Sequence, residues 1–187
     1  MPIAMYPGSF DPVTRGHLDI IKRSSRMFDT LIVAVLNNSA KTPLFTVKER
    51  EEMLRECCKD IPNVKVMSFD GLTVNFAQQQ HATVMVRGLR AVTDFENEIQ
   101  LAHTNHALYP GIETVFLSTS LKWSYLSSTI VREAAHYNHD VSKFVTPNVE
   151  AALKKKIREG KVGPPKKNVL CRVAKACKDT KDSQPSK

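Results

Sequence analysis

A chain of 187 residues is one domain's worth of polypeptide, enough to bury a single core, which argues against a two-domain enzyme. Its 42% hydrophobic and 25% charged residues, with 7 Gly and 10 Pro, exclude the disordered, collagenous and low-complexity classes. The formal charge of +8 invites a nucleic-acid reading, yet residues 161–187 hold eight of the 27 basic residues and two of the 19 acidic ones, so 19 basic face 17 acidic residues in 1–160.

The first strand-length apolar run is Ile3–Tyr6, and helical spacing follows at Leu18, Ile21 and Phe28. Leu31–Leu36 predicts a second strand; at six residues it is the longest unbroken apolar stretch and cannot cross a bilayer. Thr46-Val47-Lys48-Glu49 has the capping-box pattern and opens a helix over Val47–Cys58. Further strands are predicted at Val64–Phe69, Thr83–Val86 and Thr114–Ser118, with a helix from Asp94 to Tyr109 between the last two. Ser127-Ser128-Thr129 starts a helix running through Val131 and Arg132, and Thr146-Pro147 starts one that ends near Gly160. After Lys161, the Gly-Pro-Pro-Lys-Lys and Asp-Ser-Gln-Pro-Ser segments predict a flexible basic extension, so the expected division is a domain at 1–160 and an extension at 161–187. Near-continuous apolar strands alternating with helices predict an α/β fold, a doubly wound five-stranded parallel sheet covered on both faces.

Four cysteines fall as the neighbours Cys57 and Cys58 and the loose pair Cys171 and Cys177, without the C-x-x-C spacing of a metal site. The N-terminus lacks the basic and apolar regions of a secretory signal, and Asp11 follows at once. Both features predict a reduced, cytoplasmic setting without membrane attachment.

In a doubly wound sheet, ligands bind beyond the carboxyl ends of the strands. There the sequence places Pro7-Gly8-Ser9-Phe10-Asp11-Pro12-Val13-Thr14-Arg15-Gly16-His17, then Asn37 to Lys41, Asp70-Gly71-Leu72-Thr73, Arg87-Gly88-Leu89-Arg90 and Ser118 to Thr129. A Gly-containing loop feeding a helix N-terminus suits a phosphate, and His17 would stand beside it as a donor, or else be a helix-start histidine satisfied locally. Arg87 and Arg90 could fork onto phosphates or be surface charge, and the Ser127 to Thr129 hydroxyls could cap a helix or bind an anion. Their convergence on one sheet edge favours the functional readings. The loop is neither G-x-G-x-x-G nor G-x-x-x-x-G-K-[ST], so hydride transfer and Walker-type hydrolysis lose their usual support.

Tyr6-Pro7-Gly8-Ser9-Phe10-Asp11-Pro12 with Thr14-Arg15-Gly16-His17, the string Val86-Arg87-Gly88-Leu89-Arg90-Ala91-Val92-Thr93-Asp94-Phe95-Glu96, and Trp123-Ser124-Tyr125-Leu126-Ser127-Ser128-Thr129 together resemble the bacterial phosphopantetheine adenylyltransferases. The resemblance runs from residue 2 to about 160. It implies a Rossmann-like nucleotidyltransferase fold with strand order 3-2-1-4-5, and transfer of the adenylyl group of ATP to 4′-phosphopantetheine with Mg²⁺ carried on the ATP phosphates. It also implies a homohexamer, with coenzyme A as a feedback ligand. By position it implies that Ser9, Lys41, Thr73 and Arg87 contact phosphopantetheine. Ser9, Phe10, His17, Gly88, Leu89, Arg90, Glu98, Trp123, Ser124, Tyr125, Leu126, Ser127, Ser128 and Thr129 would bind ATP. His17, Lys41 and Arg90 would carry catalysis, His17 by stabilising the transition state.

Two departures qualify the match: Ser9 stands where the family often has Thr, keeping the hydroxyl, and Thr73 stands where it is commonly apolar. A different nucleotidyltransferase, acting on nicotinamide mononucleotide or a cytidylyl acceptor, is disfavoured by the Arg87 to Arg90 segment. A nucleic-acid-binding reading is disfavoured because the basic extension has no aromatic residue to stack on bases. His103 and His106 read as packing or subunit-contact residues, since no acidic or cysteine partner accompanies them.

Overall fold

The computed structural model describes residues 2–37, 42–90 and 92–160, with only the backbone of 92–94. Lys41, Cys171, Cys177 and the whole 161–187 extension lie outside the described residues.

Five strands, β1 (Ile3–Gly8), β2 (Thr30–Leu36), β3 (Val64–Phe69), β4 (Val84–Leu89) and β5 (Glu113–Ser118), form one sheet in the order β3-β2-β1-β4-β5. Every pairing is parallel, as the alternation of strands and helices predicts. Ala4, Tyr6, Leu31, Val33 and Val35 face one core with α1 (Arg15–Ser24), α2 (Val47–Cys58), α5 (Ser128–His136) and α6 (Pro147–Arg158). Met5, Ile32, Ala34 and Met85 face a second core, covered by α3 (Thr73–Gln79) and α4 (Val92–Leu108). The period-2 alternation of strand side chains thus feeds both faces of a doubly wound sheet.

Local signals explain most boundaries. Thr46 and Glu49 complete the expected capping box, Thr46 N–H donating to Glu49 Oε2 at 2.8 Å and Glu49 N–H to Thr46 Oγ1 at 3.2 Å. Pro147 opens α6 with its fixed φ, and Lys155, Lys156 and Arg158 sit in the last turn, where cations suit the helix dipole. Lys156, buried beside α2, pairs with Glu49 at 2.8 Å and so ties α6 to α2.

Two expectations needed correction. The strands β1 and β4 run on to Gly8 and Leu89, past the predicted ends at Tyr6 and Val86, because Pro7 and Gly8 pair with Ala34 and Val35 of β2, and Arg87 to Leu89 pair with Phe116 to Ser118 of β5. Helix α3 was missed: Leu72 offers no side-chain cap, and in seven residues Val74, Phe76 and Ala77 are buried too briefly to establish a period. Tertiary packing supplies what the sequence lacks, Phe76 stacking on Phe69 with ring centroids 4.8 Å apart.

Candidate active site

The strand order reverses direction between β1 and β4, and there the carboxyl ends of both strands open into a cleft of about 450 Å³. Tyr6, Pro7 and Gly8 supply one wall and Arg87 and Gly88 the other, while Ser9, Phe10, Thr14, Gly16, His17, Arg90, Glu98, Trp123, Leu126, Ser127 and Ser128 complete it.

The turn after β1 is shaped by close contacts. A Cβ on Gly8 would stand 3.0 Å from the Phe10 ring, so a larger residue would require that buried ring to give by a few tenths of an ångström. Phe10 itself adopts φ 46°, a left-handed conformation that costs roughly 1–2 kcal/mol for a side-chain-bearing residue. Its buried ring packs edge-on against Tyr6 and His17, at centroid distances of 5.5 and 5.1 Å, and these contacts hold the turn. Asp11 locks its far side: the carboxylate accepts Leu44 N–H and Phe45 N–H, each at 2.9 Å, and pairs with Arg132 of α5 at 3.1 Å.

His17 sits at the third position of α1 in a reciprocal cap. The Thr14 backbone N–H donates to His17 Nδ1 at 3.0 Å, and His17 N–H donates to Thr14 Oγ1 at 3.4 Å. An accepting Nδ1 is unprotonated, so the ring carries its hydrogen on Nε2, which is left for the cleft. Burial, with the positive charge of Arg90 added, pushes the pKa of His17 down to about 4. The imidazole is therefore neutral at pH 7, a fixed single donor.

Arg87 and Glu98 form a two-pronged pair, Nε donating to Oε2 at 2.6 Å and Nη2 to Oε1 at 2.7 Å, while Nη1 donates to Pro7 O at 3.0 Å. Burial disfavours the guanidinium charge, but the Glu98 bonds outweigh it and hold Arg87 above its ordinary range. Burial likewise pushes the Tyr6 phenol up to about 12, so it stays protonated in the cleft wall. Arg90 reaches across to Leu126 O at 3.4 Å. Ser127 caps α5, accepting Ile130 N–H at 3.1 Å, and Ser128 Oγ donates to Pro12 O at 2.8 Å, tying that helix start to the first turn. The capping reading of this serine segment holds for Ser127, which also lines the cleft.

The structure thus brings together Ser9, Phe10, His17, Arg87, Gly88, Arg90, Glu98, Trp123, Leu126, Ser127 and Ser128. Leu89, Ser124, Tyr125 and Thr129 are not in its lining. Leu89 O accepts from Thr119 N–H at 2.9 Å, and the exposed Tyr125 ring packs against Phe144. Thr73 starts α3 beyond the edge strand β3, apart from this lining. Sequence reasoning did not assign Tyr6 or Ile20 to the site; both line it, as does Thr119 of the Ser118 to Thr129 stretch. The alternation of β1 could have found Tyr6, two residues before Gly8 on the same strand face.

The lining is rich in hydroxyls, cations and helix-start N–H groups, and its one carboxylate is already held by Arg87. Such a surface binds polyanions and stabilises charge on phosphoryl oxygens. Among the described residues no group of three or more His, Cys, Asp or Glu could hold a metal ion, and no helix is long and apolar enough to cross a membrane.

Residues 5–134 match the cytidylyltransferase-like family, the class of protein that this fold and cleft define. A phosphopantetheine adenylyltransferase of Lachnoclostridium phytofermentans is 61% identical over 148 residues, 79% of this chain and 90% of that one. One of Caldanaerobacter subterraneus subsp. tengcongensis is 53% identical over 159 residues, 85% of this chain and 99% of that one. The chain belongs to the phosphopantetheine adenylyltransferase family. In fold it is also similar to the solved nicotinic acid mononucleotide adenylyltransferase of Plasmodium falciparum, at TM-score 0.63 and 15% identity over 84% of this chain and 97% of that one.

Proposed function

We infer that this chain transfers the adenylyl group of ATP to 4′-phosphopantetheine, releasing pyrophosphate and giving 3′-dephospho-coenzyme A, a step of coenzyme A biosynthesis. The observation that carries the reading is the neutral His17, its tautomer set by Thr14, in a switch-point cleft that also presents Arg87 and Arg90.

A phosphate oxygen of phosphopantetheine attacks the α-phosphorus of ATP in line, the bond to the bridging oxygen of the β-phosphate breaks, and pyrophosphate leaves with those electrons. No protein nucleophile is needed, so positioning and charge stabilisation carry the catalysis. Ser9, Arg87 and Lys41 hold the attacking phosphate, and Arg90, His17 and the Ser127 to Thr129 segment hold the triphosphate. The Nε2–H of His17 donates to the α-phosphoryl oxygens as charge builds there. Mg²⁺ carried on the ATP phosphates would neutralise charge there; the described hydroxyls, cations and Arg87-bound carboxylate of the cleft make no cage for it.

The same reading assigns a homohexamer, a cytoplasmic setting and coenzyme A as a ligand returning to the cleft. A groove of about 520 Å³ between α4 and β5, lined by His103 and His106, supports a subunit contact on that face. So do the exposed Phe95, Leu101 and Leu108 of the same helix.

Incubation with MgATP and a panel of acceptors tests the assignment. The expected products are dephospho-coenzyme A and pyrophosphate from phosphopantetheine alone; transfer to nicotinamide mononucleotide in its place would overturn it.

A further inference from the structure

Removing a guanidinium from water costs several kcal/mol unless its N–H groups find acceptors. Arg50, in the first turn of α2, is only 2% exposed and makes no salt bridge within the described residues. Its bonds go to three backbone carbonyls: Nε donates to Phe45 O at 3.1 Å, and Nη1 donates to Ser9 O at 2.7 Å and Leu36 O at 3.0 Å.

The three acceptors belong to separate segments at the cleft end of the sheet. Ser9 follows β1 and lines the cleft, Leu36 ends β2, and Phe45 precedes α2. Leu36 and Phe45 also bracket the β2-to-α2 connection, whose sequence carries Lys41. One side chain therefore fastens the end of β2 and the segment entering α2 to the loop bearing Ser9. Asp11 grips the same stretch from the other side, taking the N–H groups of Leu44 and Phe45 while Arg50 takes the carbonyl of Phe45. An apolar side chain of similar volume would fill the space without the desolvation cost. What it could not do is satisfy three diverging carbonyls at once.

We infer that Arg50 is a positioning residue, holding Ser9, the end of β2 at Leu36 and the segment entering α2 at Phe45 in register so that the acceptor-phosphate side of the cleft is assembled before substrate arrives. This rests on the proposed function for the identity of the acceptor. Positioning of this kind matters because a shift of about 1 Å in a reacting group costs on the order of 10²-fold in rate.

The test compares the full chain with Arg50→Met, which keeps the bulk, and Arg50→Lys, which keeps the charge but reaches fewer carbonyls. Arg50→Met is expected to raise KM for phosphopantetheine about tenfold or more and lower kcat about tenfold, with KM for ATP within about threefold. Arg50→Lys is expected to fall between, and it carries the comparison if the methionine variant does not fold. Hydrogen exchange should accelerate in peptides covering 9–14 and 42–46, with α4 and α6 unchanged. A lowered melting temperature with unaltered kinetics per folded site, an equal rise in both KM values, or unchanged exchange in the two segments would overturn the inference. A parent chain that makes no dephospho-coenzyme A would overturn the proposed function instead, and the exchange measurement would still decide whether Arg50 holds the two segments.

Discussion

Glu98 holds one edge of the Arg87 guanidinium by two bonds, at 2.6 and 2.7 Å. With Nη1 also on Pro7 O, three of the five N–H donors are engaged and two remain for a ligand. The pair orients the arginine, yet its carboxylate also repels an incoming phosphate.

Arg87→Ala should therefore weaken phosphopantetheine twice over, by removing a donor and by leaving Glu98 unpaired in the cleft. A charge-assisted bond is worth about 1.5–3 kcal/mol, so a loss of roughly 10- to 100-fold in affinity is expected. The double variant Arg87→Ala/Glu98→Gln should regain part of it. Arg90→Ala should weaken ATP instead. Calorimetric titration of each variant with each ligand checks the separation, and equal loss of both ligands in both arginine variants would contradict separate subsites.

The depressed pKa of His17 sets a sign for acid stability. In the unfolded chain the ring takes up a proton below about pH 6.5, whereas in the fold it stays neutral down to about 4. The unfolded state binds more protons in that window, so acidification from 6.5 to 4 favours unfolding, by at most about 1.4 kcal/mol per pH unit. Above 6.5 both states are neutral and the effect vanishes. Urea midpoints of the parent and His17→Gln, measured across this range, should converge as the pH falls, since only the parent carries the histidine's acid-sensitive component. Parallel curves would contradict the assigned protonation state.

The extension should be dispensable for chemistry, because every described residue lining the cleft lies between Tyr6 and Ser128 and α6 ends at Arg158. A chain ending at Gly160 is expected to keep its turnover per active site. A fall of about tenfold in a properly folded truncation, a barrier change of about 1.4 kcal/mol, would show that residues 161–187 contribute to the reaction.

What was legible in the sequence followed from signals that are local. Apolar β-branched runs located all five strands, and Thr46 with Glu49 and Thr146 with Pro147 located two helix starts. Helix α3 was illegible because its stability comes from Phe76 against Phe69 rather than from a cap or a long period. The cleft was legible as a set of residues following strand ends, since parallel order places those ends together. The Arg87–Glu98 pair was not, because it joins a strand end to a helix 11 residues later and couples two residues expected at different substrates. Nor was Arg50, whose three carbonyl partners have no side-chain signature.

The most direct test of the account is the single-turnover rate of His17→Ala beside its affinity for ATP. His17 is held as a neutral Nε2 donor by Thr14 N–H at 3.0 Å, and in the proposed mechanism its bond to the α-phosphoryl oxygens would be stronger in the transition state than in bound ATP. Losing one such preorganised donor costs on the order of 10² to 10³ in rate, about 2.7–4 kcal/mol, so the variant should bind ATP nearly as the parent does and turn over slower by that factor. A variant that melts at a lower temperature while its folded fraction reacts at the parental rate would reduce His17 to a helix cap and contradict the mechanism.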